Sequence, residues 1–270
     1  MKTSAHIGGR AGRGTGRWSR ERTVVLPEAG RVVAELRRDG IATTSVAALT
    51  GDSGVLDEVV DCAHALVERR ARDVCAQRRL LQAGGDPWAR PPDADRVPLL
   101  GDDAPATSCR LLLLHPVLGG VAEAYCGRAV RSVEPTGWLE VATGSPVPPR
   151  RWERAPRGRR PVLEVWISLT ADEDGDGPLH YVRGTHRRQR GEGAVPRAFE
   201  ATGGPAGTVV FADPCGMHRR SPAVERDRVL LHGAFSTVRR PPRPPRHAVT
   251  GARVPRARRA LHDAFALAGA

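Results

Sequence analysis

The second half of the chain carries five short apolar runs with no helical pattern between them. They are GWLEVATG, PVLEVWISL, PLHYV, GTVVFAD and RVLLHGAFS, separated by turn residues. Strands at this spacing leave no room for crossover helices, so they must pair antiparallel in a sandwich or barrel. One run is two-sided. Successive side chains on a strand point to opposite faces; Leu163, Val165, Ile167 and Leu169 therefore point one way, and Val162, Glu164, Trp166 and Ser168 the other.

The first half reads differently. Residues 27–38 (PEAGRVVAELRR) predict a short helix: Pro27 suits its first turn, Val32, Val33 and Leu36 share a face, and Gly40 can end it. IATTSV follows as a short strand. Residues 55–82 predict one long helix with an apolar stripe of Leu56, Val59, Val60, Ala63, Leu66 and Val67. The Pro/Asp/Gly-rich stretch 84–108 reads as a loop, and a further helix is expected from Pro116 to Tyr125. The expected organisation is one domain over residues 23–236, helical in 27–126 and β-rich in 130–236. A basic, glycine-rich tail (1–22) precedes it, and a Pro/Arg-rich linker with a short terminal helix (237–270) follows.

The formal charge of +12 over 270 residues points first to nucleic acid. Composition weakens that inference. Of the 42 basic residues only Lys2 is lysine, and Ala, Gly and Pro are abundant too, the signature of a GC-rich coding bias. Nucleic acid is therefore not the expected partner, and binding through the arginine-rich tails is kept only as an alternative. The cysteines are odd in number, widely spaced and without a C-x-x-C pair. That argues for reduced thiols in a cytoplasm. The best apolar run, LLLLHPVLGGVAEAY, is broken by His115 and Pro116, so no membrane partner is expected. The N-terminus lacks the apolar core of a secretory signal.

Three segments in this order carry a resemblance: GRVVAELRRDGIATTSV, VLEVWISLTADEDGDGPLHYVRGTHRR and GTVVFADPCGMHRRSPAVERDRVLLHGAFS. From about residue 30 to 236 the chain resembles the phytanoyl-CoA dioxygenase family, the iron(II)- and 2-oxoglutarate-dependent oxygenases. The resemblance implies a mainly β fold with N-terminal helices, a double-stranded β-helix of the jelly-roll, cupin-like kind, acting on a small-molecule substrate. It implies Fe(II) and 2-oxoglutarate as cofactors. Such chemistry needs two His and one carboxylate on one face of the iron. His218 matches the family's distal histidine. Arg228, ten residues on, matches the arginine that clamps the far carboxylate of 2-oxoglutarate.

The family's H-x-D pair is not kept. Its slot reads Trp152-Glu153-Arg154-Ala155, so Glu153 stands for the histidine and Ala155 for the carboxylate. Two readings follow. With only His218 and Glu153 as metal ligands, iron is held weakly or not at all, and the pocket serves a non-oxidative catalyst or a ligand-binding protein with no cofactor. Glu153 and His218 are then the catalytic pair, a carboxylate and an imidazole able to shuttle a proton. Alternatively, an oxygenase survives with an unusual ligand set helped by Glu164, Asp172, Asp174, His180 or His186. Ala155 alone would suit a halogenase, but those enzymes keep the histidine lost here. Glu153 could instead face solvent and pair with Arg154, Arg157 or Arg159.

Other signals are weaker. Asp172–Gly177 matches half of a calcium-binding loop, but position twelve is Arg183, so an acidic turn is expected. No nucleophile elbow or phosphate-binding loop is present. His186 reads as structural, and His180 could face either way. Trp138, Trp152 and Trp166 read as core or pocket wall.

Overall fold

Helix α1 (Pro27–Asp39) forms where expected, with Ala29, Val32, Val33 and Leu36 buried along one face. Gly40 ends it at φ 82°, its N–H donating to the Leu36 carbonyl at 2.9 Å. A side chain there would be strained by the left-handed backbone and would meet the His186 ring at 2.4 Å. Strand β1 (Ile41–Ser45) and the short α2 (Val46–Thr50) follow, Ser45 capping the helix by accepting from Ala48 N–H at 3.1 Å.

The computed structural model describes residues 27–83, 93–100, 107–144, 151–156, 162–171, 177–187 and 199–238, all within one unit of the chain, Met1–Val238. The expected tail at 1–22, the acidic turn with Asp172 and Asp174, Arg157 and Arg159, and the terminal helix lie outside the described residues.

Two expectations need correction. The helix expected over 55–82 is two, α3 (Gly54–Arg69) and α4 (Ala71–Gln82), separated at Arg70. Within the stretch expected as a loop lie strand β2 (Arg96–Leu100) and the start of α5 (Ser108–Leu113). Pro98 hid β2. It cannot donate to a ladder, and β2 accordingly occupies the edge of its sheet, where Pro98 is exposed. Helix α6 (Pro116–Cys126) starts at Pro116 as expected.

The remaining elements are β3 (Val130–Glu140), β4 (Leu163–Ser168), β5 (Leu179–Val182), β6 (Glu200–Thr202), β7 (Thr208–Ala212), β8 (Met217–Arg220) and β9 (Arg228–Thr237). They pair antiparallel into a large sheet, β1-β7-β4-β9-β3-β2, and a small one, β6-β5-β8. An isolated bridge between Glu153 and His218 extends the small sheet past β8. The result is the expected double-stranded β-helix with helices at its N-terminal side.

The large sheet is two-faced, as VLEVWISL requires. Leu163, Val165 and Ile167 of β4, with Val209, Phe211, Val229 and Leu231, are almost fully buried in the same core as α1, α3, α5 and α6. Each such side chain contributes roughly 1.5–3 kcal/mol of burial. The opposite face looks into the β-helix lumen and is mixed, with Ile41, Val210 and Ala212 in a second apolar cluster beside charged side chains. It carries Trp138, Glu140, Glu164, Trp166, Arg228 and His232, for which cross-strand register (Glu140 opposite Arg228, Trp166 opposite His232) fixes the pairing.

Candidate functional site

His218 is set by the turn that precedes it. Asp213 accepts a hydrogen bond from Tyr125 Oη at 2.5 Å and one from Cys215 N–H at 2.8 Å. Its own N–H donates to the Gly40 carbonyl at 2.8 Å, and Tyr181 Oη donates to the Asp213 carbonyl at 2.9 Å. Arg154 adds a guanidinium across the turn, donating to the Cys215 carbonyl at 2.7 Å and the Thr185 carbonyl at 2.8 Å. Burial, then the neighbouring Asp213, pushes both tyrosine hydroxyls well above their usual range, so they stay protonated donors.

The His218 ring is then oriented by Nδ1, 3.0 Å from the Gly216 carbonyl. A carbonyl only accepts, so Nδ1 carries the proton in this bond and Nε2 keeps its lone pair. Glu153 stands directly beside it. The two backbones exchange N–H···O bonds of 2.7 and 3.0 Å, which puts both side chains on one face. Glu153 is exposed and His218 half-buried. Both line a cavity of about 310 Å3 at the mouth of the β-helix, together with Glu164, Trp166, Arg96 and His232.

Deeper in the lumen lies a carboxylate that the sequence reading did not single out. Glu140 is 1% exposed. Arg228, itself 2% exposed, reaches Glu140 Oε2 through Nη2 and through Nε at 3.1 Å. Arg220 Nη2 lies 3.1 Å from Oε1, Trp138 Nε1–H donates to Oε1 at 3.1 Å, and Arg96 Nε stands 3.5 Å away. Burial pushes this carboxyl up, and the guanidinium charges of Arg220, Arg228 and Arg96 outweigh it, bringing it down to about 2. Arg228 Nη1 donates to the Gly177 carbonyl. The guanidinium of Arg220 lies over Trp166, 4.7 Å from the ring centroid, filling the lumen below His218. The space left beside Arg228 is about 20 Å3, enough for roughly one water.

A second lumen carboxylate, the half-buried Glu164, sits 3.8 Å from His232 Nε2. Burial raises its pKa, but the His232 ring beside it and the nearby His218 lower it more. The His232 ring lies tilted against Trp166 with ring centroids 4.1 Å apart.

Of the expected site residues, Glu153 and His218 come together. Arg228 enters the same lumen, where its guanidinium faces Glu140. His180 points out of the lumen, where Arg219 Nε meets its Nδ1 at 3.1 Å and the Phe199 ring lies tilted against it. Trp152 lies on that outer side too, beneath Arg219. His186 is buried in a 3-10 turn against Gly40. Among the described residues, no group of three or more His, Cys, Asp or Glu side chains is placed to hold a metal ion. Among the described residues, the donors beside His218 therefore do not make up the three-ligand set that the resemblance to the dioxygenase family implies for iron. Two signals could have exposed the deep cluster: Glu140 lies two residues from Trp138, and Arg220 two from His218, each on the same inward face of its strand.

No protein-family model matches the sequence, and no curated protein does. Solved structures do resemble the fold. AviO1 from Streptomyces viridochromogenes Tue57 superposes with a TM-score of 0.54 at 19% identity, over 80% of this chain and 98% of its own. EctD from S. alaskensis, solved with 2-oxoglutarate and 5-hydroxyectoine, gives 0.54 at 19% identity, over 81% of this chain and 79% of its own. SnoN, a non-heme alpha ketoglutarate dependent epimerase from nogalamycin biosynthesis, gives 0.51 at 19% identity, over 78% and 81%. The chain thus has the β-helix fold found among 2-oxoglutarate-dependent enzymes. No described helix is long and apolar enough to cross a membrane.

Proposed function

We propose that this chain binds a small organic molecule in the mouth of the β-helix and acts on it by proton transfer, without iron or 2-oxoglutarate. The observation that carries this reading is the bridge between Glu153 and His218, one carboxylate beside one imidazole where three metal ligands would be needed. His218, with Nδ1 committed to Gly216, offers Nε2 to accept a proton, and Glu153 is the carboxylate next to it. Isomerisation, dehydration and cyclisation are the reaction types such a pair can serve. The scattered thiols suit a cytoplasmic setting.

The test is anaerobic addition of iron(II) and then 2-oxoglutarate to metal-free protein, followed in the visible range. No charge-transfer band is expected at saturating iron. A band abolished by both His218→Ala and Arg228→Ala would overturn the proposal and establish a second reading, an oxygenase with an unusual ligand set. That reading is favoured by the company of the fold, since EctD was solved with 2-oxoglutarate. Its own signature is iron-dependent succinate formation, which the proposal expects to be absent.

A further inference from the structure

We propose that Glu140 is a ligand carboxylate supplied by the chain itself. It fills the anion seat built by Arg228, Arg220 and Trp138, so the floor of the β-helix is closed to a soluble carboxylate and only the mouth takes a ligand. This rests on the mouth cavity being the working site.

Four observations carry it. Glu140 and Arg228 are directly opposed on β3 and β9, so the backbone register holds them together. The seat is made by several elements at once: Arg228 from β9, Arg220 from β8, Trp138 from β3 itself, and Arg96 from β2 alongside. Convergence of donors from separate strands on one fully buried carboxylate is how a protein recognises a carboxylate ligand. The far side of Arg228 is closed by the Gly177 carbonyl. Gly177 itself can carry no side chain, since its φ is 78° and a Cβ would lie 2.5 Å from the Ser221 carbonyl oxygen. Finally, the space beside Arg228 holds roughly one water, not a dicarboxylic acid.

Competition favours the internal group. A carboxylate already held at the seat has given up its freedom on folding, whereas a free acid must still lose it. A soluble acid would also have to expel Glu140 from its three guanidiniums, and the space beside Arg228 is too small to take it.

The experiment empties the seat. Glu140→Ala is compared with the wild type in thermal melts with no metal present, in acetate, in acetamide, and in sodium chloride at matched ionic strength. Loss of the buried carboxylate is expected to lower Tm by about 10 °C. Acetate at tens of millimolar should recover at least half of that, while acetamide, chloride and the wild type show no such gain. Glu140→Gln, which keeps the seat filled, should lose stability and not respond to acetate. A Glu140→Ala protein indifferent to acetate, or a Glu140→Gln protein rescued equally, would sink the inference. Should Glu140→Ala not fold alone, the same comparison is read as refolding yield from urea, where an acetate-specific gain supports the seat and none overturns it. Because no arm contains iron, these melts can fail while the proton-transfer reading stands. An iron and 2-oxoglutarate band would overturn that reading whatever acetate does.

Discussion

At the scale of single residues, the position of His218 depends on a glycine two places earlier. A Cβ on Gly216 would lie 1.8 Å from the Tyr181 hydroxyl and 2.2 Å from the ring carbon that bears it. Tyr181 cannot step aside, because it is fully buried and its hydroxyl is spent on the Asp213 carbonyl. Gly216→Ala should therefore cost about 1–3 kcal/mol in a urea titration and disturb the His218 imidazole resonances by NMR. Unchanged stability with unchanged resonances would show that the turn has slack and does not set the histidine. His218 itself was legible in the sequence from the strand before it and the arginine ten residues after it. Glu140 was not, although it determines what that arginine does. It lies 88 residues from Arg228, and only the antiparallel register of β3 on β9 brings the two together. Sequence spacing reports neighbours along one element and is silent on pairs made across a sheet.

At the scale of elements, the turn between β7 and β8 ties the helical layer to the site. Asp213 takes the Tyr125 hydroxyl from α6 and the Cys215 N–H of its own turn, while Gly40 from the α1–β1 junction takes its N–H. Replacing Asp213 by Ala leaves the half-buried Tyr125 hydroxyl without its charged acceptor, so a loss of about 2–3 kcal/mol is expected. The double variant Asp213→Ala with Tyr125→Phe should lose clearly less than the two single losses added together. Strict additivity would mean the tyrosine does not depend on Asp213. The same scale explains what the sequence concealed. The stripe of α3 (Val59, Ala63, Leu66) runs on into α4 through Val74 and Leu81 at helical spacing, so the break at Arg70 leaves no trace in the pattern. In contrast, the alternation in β4 fixed both of its faces, because a period of two admits one assignment of inside and outside.

At the scale of the whole molecule, the lumen sets charged side chains beside a small apolar cluster, and the larger apolar core lies on the other face of the sheet. The aliphatic face of the large sheet and the helices exclude water, while on the lumen side Glu140 is buried and Glu164 half-buried. Both carboxylates are held below their ordinary range, Glu140 by Arg220, Arg228 and Arg96, and Glu164 by His232 and His218. A group whose folded pKa is lowered stabilises the fold fully above its unfolded value and ceases to do so as pH falls through the folded one. For Glu140 that window runs from the ordinary value of 4.5 down to about 2. The groups facing it are three arginines and an indole N–H, none of which titrates there, so the loss belongs to Glu140 itself. Urea midpoints of the wild type and Glu140→Gln, measured from neutral pH into acid, should therefore lie far apart at pH 7 and draw together below 4.5. Glu164 titrates in both proteins and lowers both curves without closing the gap. A gap that stays constant with pH would mean that the charge of Glu140 contributes nothing to the closed floor and that its shape alone fills the seat.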